Sequence, residues 1–338
     1  METNKEAGVR NSRTIQESKE WIRSLKDRIL KGGEITFEEA CRLIETDDKD
    51  ALYEAAEEIT SKLCKPQFDS CSIVNVKSGK CRENCKWCAQ SGHYNTGCES
   101  YDLFSPVQCM EIARYNKRKG IKRFSLVASG RATKGETLRQ VCKILSDVKR
   151  EVGIYTCASL GLLNREELQQ LWDSGVRRYH CNLEAAPSYF DKLCTTHTIE
   201  DKLTTIMTAR EIGFEVCSGG IIGMGETARQ RAELGYVLKK VSPHSIPINI
   251  LCPIPGTPLE NSAPLSDDEI LSTIAVFRFL HPGIELRFAG GRASLSRETQ
   301  LKAMKIGMNS GVVGDLLTTI GSRVDDDKVL VGEAGYEF

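Results

Sequence analysis

The chain has 338 residues, with 46 Lys and Arg balancing 46 Asp and Glu, 40% apolar residues and 14 cysteines. This balance argues against a nucleic-acid or anionic-membrane footprint, and no apolar run reaches the ~20 residues of a membrane span. The opening Met1-Glu2-Thr3-Asn4-Lys5-Glu6 lacks the apolar core of a signal peptide, so the cysteines are expected in a reducing, cytoplasmic setting where thiols bind metal or stay free.

In chain order, residues from about Thr14 to Leu63 carry helical spacing (Ile15, Trp21, Ile22, Leu25, Ile29, then Phe37, Ala40, Leu43, Ile44), with Thr36 as an N-cap before Glu38 and Glu39. They predict an N-terminal helical extension over 1–66, packed on a main domain. Short β-rich runs follow: Cys71–Val76, Arg123–Val127, Gly153–Ala158, Arg177–Leu183, Phe214–Ser218, Ser245–Leu251, Gly283–Phe288 and Ser310–Val313. Between them lie the helical patterns Pro106–Lys119, Gly135–Glu151, Arg165–Ser174, Ile199–Ile212, Ala228–Val241, Asp267–Leu280 and Arg297–Ile306. Strands alternating with helices across short loops indicate parallel βα units. The simplest closure is an α/β fold of the TIM type, a (β/α)8 barrel over 67–320 with a tail over 321–338; an open sheet is the alternative.

Three cysteines, Cys81, Cys85 and Cys88, directly follow the first strand, where active sites of this fold sit. The C-x3-C-x2-C spacing places three thiolates on one loop, and a cubane iron–sulfur cluster held by three leaves one iron open to a further ligand. A closed zinc site is the competing reading, but it usually brings two separated pairs of ligands. Further along, Cys157, Cys217 and Arg287 lie inside strands where Val, Ile or Leu is ordinary. A buried cysteine is commonly a small hydrophobe. Arg287 differs, because a buried charge requires an anionic partner. Gly219 and Gly220 end the fifth strand, where backbone can approach a ligand closely or merely turn.

These segments together resemble the radical S-adenosylmethionine (SAM) enzymes, and among them the biotin synthase family. Beside the triplet and Trp87, the likeness is carried by Arg178-Tyr179-His180-Cys181-Asn182-Leu183-Glu184, Val216-Cys217-Ser218-Gly219-Gly220, Pro247-Ile248-Asn249-Ile250, Gly256-Thr257-Pro258-Leu259, Arg287-Phe288-Ala289-Gly290-Gly291-Arg292 and Leu316-Leu317-Thr318-Thr319. The resemblance implies a [4Fe-4S] cluster on Cys81, Cys85 and Cys88, SAM at its open iron, and sulfur insertion into dethiobiotin from an auxiliary cluster deep in the barrel. It assigns Trp87, Asn182, Glu184, Lys202, Gly219 and Gly220 to the cofactor side, with Lys202 where an arginine meets the SAM carboxylate. It assigns Asn182 and Asn249 to the ureido ring of dethiobiotin, and Thr318 and Thr319 to its carboxylate.

The auxiliary site departs from the family pattern. Cys157, Cys217 and Arg287 match three of its ligands, but Ser125 stands at the remaining cysteine position, and a serine oxygen is a harder iron ligand than thiolate. Cys71, on the first strand where the family more often has serine, is expected to supply the third thiolate. His180 and Cys181 compete for that place; alternation along the strand turns His180 into the lumen and, unless a bulge intervenes, Cys181 towards the helices. The auxiliary cluster is then a two-iron cluster or a larger one. An electron donor such as flavodoxin or ferredoxin, iron–sulfur assembly machinery and a homodimer are further implications. A related radical SAM branch acting on another small molecule and a non-catalytic metal-binding regulator are the other functions compatible with the pattern. Cys41, Cys64, Cys98, Cys109, Cys142, Cys194 and Cys252 receive no role.

Overall fold

The computed structural model describes residues 2–314 and 323–338, with side chains from residue 16 onward. Thr318 and Thr319 lie outside the described residues. The N-terminal extension is three helices, Glu2–Leu30, Phe37–Ile44 and Lys49–Leu63. The first begins before the expected Thr14. Ile22, Leu25 and Ile29 recur at helical spacing on one face of it and are buried. Thr36 caps the second helix in a reciprocal capping box with Glu39, so the chain change of direction at residues 31–36 is locally encoded.

Among the described residues nine strand segments follow: β1 (Asp69–Lys77), β2 (Arg123–Ala128), β3 (Tyr155–Ser159), β4 (Arg178–His180), β5 (Glu215–Cys217), β6 (Gly220–Ile222), β7 (Ser245–Ile250), β8 (Glu285–Phe288) and β9 (Met308–Val312). All pair in parallel, in the order β5-β4-β3-β2-β1-β9-β8-β7-β6, and an additional β5–β7 pairing closes the ring. This is a (β/α)8 barrel, as the alternation predicts, and the open sheet is excluded. Capped helices connect the strands, with capping boxes at Asn164/Glu167, Thr198/Asp201, Thr227/Gln230 and Ser266/Glu269. The chain end returns to the start of the barrel, where Phe68 donates its N–H to the Glu337 carbonyl at 2.7 Å.

The ring has nine segments for eight positions because the fifth strand is interrupted. β5 meets β7 only through Cys217 and Ser245; after Ser218 and Gly219 the chain resumes as β6, pairing Gly220, Ile221 and Ile222 with Ile248, Asn249 and Ile250. A Cβ on Gly219 would lie 1.9 Å from the Pro247 carbonyl oxygen, and one on Gly220 would lie 2.6 Å from that of Glu184. Contacts that short force the backbone apart. Gly219→Ala is therefore expected to cost about 3 kcal/mol or more and to lower the midpoint of thermal unfolding. Gly332→Ala, with open space at its Cβ in a helix, leaves the midpoint unchanged or raises it.

Candidate functional site

The base of the barrel is closed by charge. Asp69, Arg123, Arg178, Glu215 and Glu285 are the first residues of β1, β2, β4, β5 and β8, so they gather at the same end of the barrel. Asp69 accepts from Arg123 Nε at 2.8 Å, from Arg178 Nη1 at 3.1 Å and from Arg287 Nη2 at 2.5 Å. Arg178 also reaches Glu215 and Glu285, at 2.8 and 2.9 Å. Burial opposes the Asp69 charge, but Arg287 and Arg123 outweigh it and hold the carboxyl well below its usual range. The anionic partner that Arg287 demands is thus a carboxylate that sequence reading passed over. Arg287 further donates to the Asp69 and Gly311 carbonyls and to Ser245 Oγ.

Above this floor lies a cavity of about 430 Å³. Arg123, Arg178 and Arg287 line it, whereas Asp69, Glu215 and Glu285 do not. The lumen side of the plug is therefore cationic. Facing it are the three strand cysteines. Cys71 and Cys157 both line the cavity; the Cys157 thiol, with help from Arg287 and against burial, lowers Cys71 to about 7, while burial and the Cys71 thiol push Cys157 up. Cys217 lies 3.3 Å from His180 Nδ1. Burial works against its thiolate, but His180 and Arg287 overcome it and draw Cys217 down. Ser125, paired in register with Cys157 and Ile73, also lines the cavity.

His180 and Cys181 both border the lumen, and Cys181 is also part of the buried apolar core, unlike Cys71, Cys157 and Cys217. β4 ends at His180, so strict alternation stops there. Asn182 and Glu184 follow on the cavity side, linked by Asn182 Nδ2 to Glu184 Oε2 at 3.2 Å, and Glu184 takes a left-handed φ of 73°. Asn182 Oδ1 also accepts from Gly219 N–H at 3.0 Å. Gly219 and Gly220 themselves are not among the lining residues. Their missing side chains let strands and loops of the protein pack, as the clashes with Pro247 and Glu184 demonstrate.

At the opposite end, the loop after β1 carries Cys81, Cys85 and Cys88, all half-buried and all lining the same cavity with Trp87. It is pinned through Cys81 N–H to the Gln90 carbonyl at 3.0 Å and Gly92 N–H to the Cys81 carbonyl at 2.7 Å. Burial raises Cys88 to about 11, so its proton must leave when a metal binds. The ammonium of Lys202, itself buried, borders the cavity 5.8 Å from the Phe190 ring centre, and among the described residues it makes no ion pair. An unpaired buried cation suits an incoming carboxylate. Asn249 lines the cavity with its amide largely committed, Nδ2 to the Gly220 carbonyl at 3.0 Å and Oδ1 from Gly290 N–H at 2.9 Å.

Comparison with known proteins fits this arrangement. The radical SAM superfamily pattern matches residues 75–234, and the biotin and thiamin synthesis associated domain matches residues 247–337. A biotin synthase of Parabacteroides distasonis is 54% identical over 317 residues, covering 94% of this chain and 97% of its own. The chain belongs to the biotin synthase family. A second family member, from Porphyromonas gingivalis, is 54% identical over 316 residues, covering 94% and 96%. Among solved structures, methylornithine synthase superposes with a TM-score of 0.80 at 17% identity over 93% of this chain and 96% of that one. An FeFe-hydrogenase maturase from Carboxydothermus hydrogenoformans gives 0.79 at 17%, over 96% and 80%. At those identities the likeness concerns the fold.

In this family member the floor is testable through Asp69. Asp69→Asn keeps the shape and removes the shared charge, so Arg123, Arg178 and Arg287 lose their common acceptor, at a cost of about 3–5 kcal/mol. A carboxyl with a depressed folded pKa stabilises the fold above its unfolded value near ~4 and ceases to as pH falls below it. The gap between wild-type and Asp69→Asn stabilities in urea unfolding is therefore expected to be full at pH 6–7 and to narrow below about pH 4.

Proposed function

We propose that this chain is a biotin synthase, converting dethiobiotin to biotin by radical chemistry. The observation that carries the reading is that one lumen is bordered at its mouth by Cys81, Cys85 and Cys88 and at its cationic base by Cys71, Cys157 and Cys217. When bound, a [4Fe-4S] cluster on the first group supplies the electron that cleaves SAM to methionine and a 5′-deoxyadenosyl radical, and an auxiliary cluster on the second supplies the sulfur that replaces two hydrogens of dethiobiotin. The residues present suit both groups: the mouth thiols are half-buried and the base thiols buried, and three arginines line the base to meet an anion.

Each remaining side chain has a binding task on this reading. Lys202 meets the carboxylate of SAM. Asn182 and Glu184 take the ribose, with Trp87 beside the cysteine loop. Asn182 and the remaining Nδ2 proton of Asn249 address the ureido ring; because Asn249 is fixed by two bonds to backbone, it is pre-set rather than adaptable. The barrel wall excludes water, so a radical formed at the mouth meets substrate before solvent. Thr318 and Thr319 are proposed for the substrate carboxylate.

At the base, Cys71, Cys157 and Cys217 are the proposed thiolate ligands of the auxiliary cluster. Cys71 borders the same base of the lumen as Cys157 and Cys217, which supports including it. Arg287 completes the family's set, although its N–H groups are already directed at Asp69, Gly311 and Ser245; His180, against Cys217, is the alternative fourth group. The cytoplasm, a flavodoxin or ferredoxin as electron donor, iron–sulfur assembly partners and a homodimer complete the proposal. No helix among the described residues is long and apolar enough to cross a membrane.

Anaerobic reconstitution followed by assay of 5′-deoxyadenosine and biotin tests the function. Biotin that depends on dethiobiotin is expected, whereas SAM cleavage without biotin would favour another radical SAM branch. Cys71→Ala is expected to retain SAM-responsive iron, lose the auxiliary iron and make no biotin; undiminished auxiliary iron in that variant removes Cys71 from the ligand set. Lys202→Met is expected to raise KM for SAM about tenfold or more, in line with ~1.5–3 kcal/mol for a charge-assisted bond, with a smaller change in KM for dethiobiotin.

A further inference from the structure

The loop that carries Cys81, Cys85 and Cys88 has two faces. From residue 80 to 87 the odd-numbered positions Cys81, Glu83, Cys85 and Trp87 line the cavity, whereas Lys80, Arg82 and Lys86 do not line it and are exposed. Three cations thus stand on the outer side of the residues assigned to the cluster, and none of them makes an ion pair among the described residues. The one carboxylate of residues 79–98, Glu83, is buried, and it bonds His197 Nδ1 at 2.5 Å and Thr196 Oγ1 at 2.8 Å. Beyond the loop the exposed charges are of both signs, with Glu99, Asp191 and Lys192, so the excess is confined to the loop itself. Lys80 takes a left-handed φ of 49°, a region that glycine enters freely and a lysine only under strain. The face is also held in shape, because residues 193–197 clamp the loop. Lys86 N–H donates to the Leu193 carbonyl at 3.0 Å, Asn84 N–H to Thr196 Oγ1 at 3.1 Å, and Asn84 Nδ2 to Thr195 Oγ1 at 2.7 Å.

We propose that Lys80, Arg82 and Lys86 form the docking face for an acidic protein that carries single electrons. The inference rests on the assignment of Cys81, Cys85 and Cys88 as cluster ligands. On that reading each SAM cleaved takes one electron from outside the chain; the carrier loses it, the cluster gains it, and no atom is exchanged. The lumen side of the loop is reserved for SAM and substrate, which leaves the outer side for the carrier, and the outer side is the one that bears the cations. Unpaired cations at a rim steer an oppositely charged partner and raise its rate of encounter more than they add affinity. That suits a carrier that leaves after each transfer. None of the exposed large apolar side chains among the described residues lies on this loop, so the contact is electrostatic and transient rather than a lasting apolar interface.

The test pairs carbodiimide cross-linking with calorimetric titration, using the reconstituted, full-length enzyme and an acidic flavodoxin. In the wild-type chain, cross-links are expected at Lys80 and Lys86, and Kd is expected to rise about tenfold or more between about 50 and 300 mM salt. Lys80→Gln, Arg82→Gln and Lys86→Gln combined are expected to weaken binding about tenfold at the lower salt and to slow reduction of the cluster by flavodoxin hydroquinone, while photoreduced deazaflavin, a small donor, reduces it at the wild-type rate. Lys143→Gln, exposed on the helix Gly135–Val152, is expected to change neither. Cross-links confined to other lysines, a Kd indifferent to salt and to the triple substitution, or equal binding of a DNA oligonucleotide overturns the inference. Should the triple variant lose its iron, the wild-type cross-links and salt dependence decide. A wild-type chain that holds no SAM-responsive cluster would instead overturn the ligand assignment on which the inference rests.

Discussion

Asp69 is the residue on which the site depends. Its carboxylate is shared by Arg123, Arg178 and Arg287 within 3.1 Å, and each of these arginines also reaches the lumen. Four charges from four strands can be buried together only if each has an opposite neighbour, which is why Glu215 and Glu285 complete the plug. The outcome is polarised: carboxylates sit away from the cavity and guanidinium groups line it. A cavity with a cationic floor stabilises thiolates and whatever anion they hold. Removing the one shared acceptor would therefore disturb strand register, thiol chemistry and the lumen's charge together.

Above that floor, the fold solves a problem of access. A packed barrel ordinarily fills its lumen with branched apolar side chains. Here Ser125, Cys157, His180 and Cys217 take such positions, and a cavity of about 430 Å³ is left. The break in the fifth strand at Gly219 belongs to the same solution. It lets Pro247 approach, and it places Gly219 N–H where it fixes Asn182. The mouth is held as firmly as the base, since the loop of Cys81, Cys85 and Cys88 is clamped by residues 193–197 and by its own return to Gln90 and Gly92. On the proposed function, the two redox groups sit on rigid supports at opposite ends of one enclosure, which is the geometry a short-lived radical requires.

What could be read from the chain follows the range of the interactions. The triplet was legible because its spacing lies within eight residues, and the barrel because seven helices recur between parallel runs. The lumen-facing cysteines were legible as polar exceptions in apolar strands. The charge plug was not, since apart from the 3.7 Å contact of Arg287 with Glu285 its ion pairs join residues far apart in the chain and its members meet only once strand register is known. Asn249 looked like a free amide, yet the Gly220 and Gly290 backbones already use most of it. The clamp on the cysteine loop carried no local pattern: Asn84 and its partner Thr195 are 111 residues apart in the chain.

The central claim is that sulfur reaches the substrate from a cluster held on the cysteines at the base of the barrel. The direct measurement is the isotopic composition of biotin from a single turnover, with clusters rebuilt from ³⁴S-sulfide and the assay run in unlabelled sulfide and cysteine. Biotin carrying ³⁴S, in an amount that falls with the auxiliary iron in the Cys71, Cys157 and Cys217 variants, is the predicted result. Biotin carrying sulfur from the medium, formed at an undiminished rate by those variants, would contradict it.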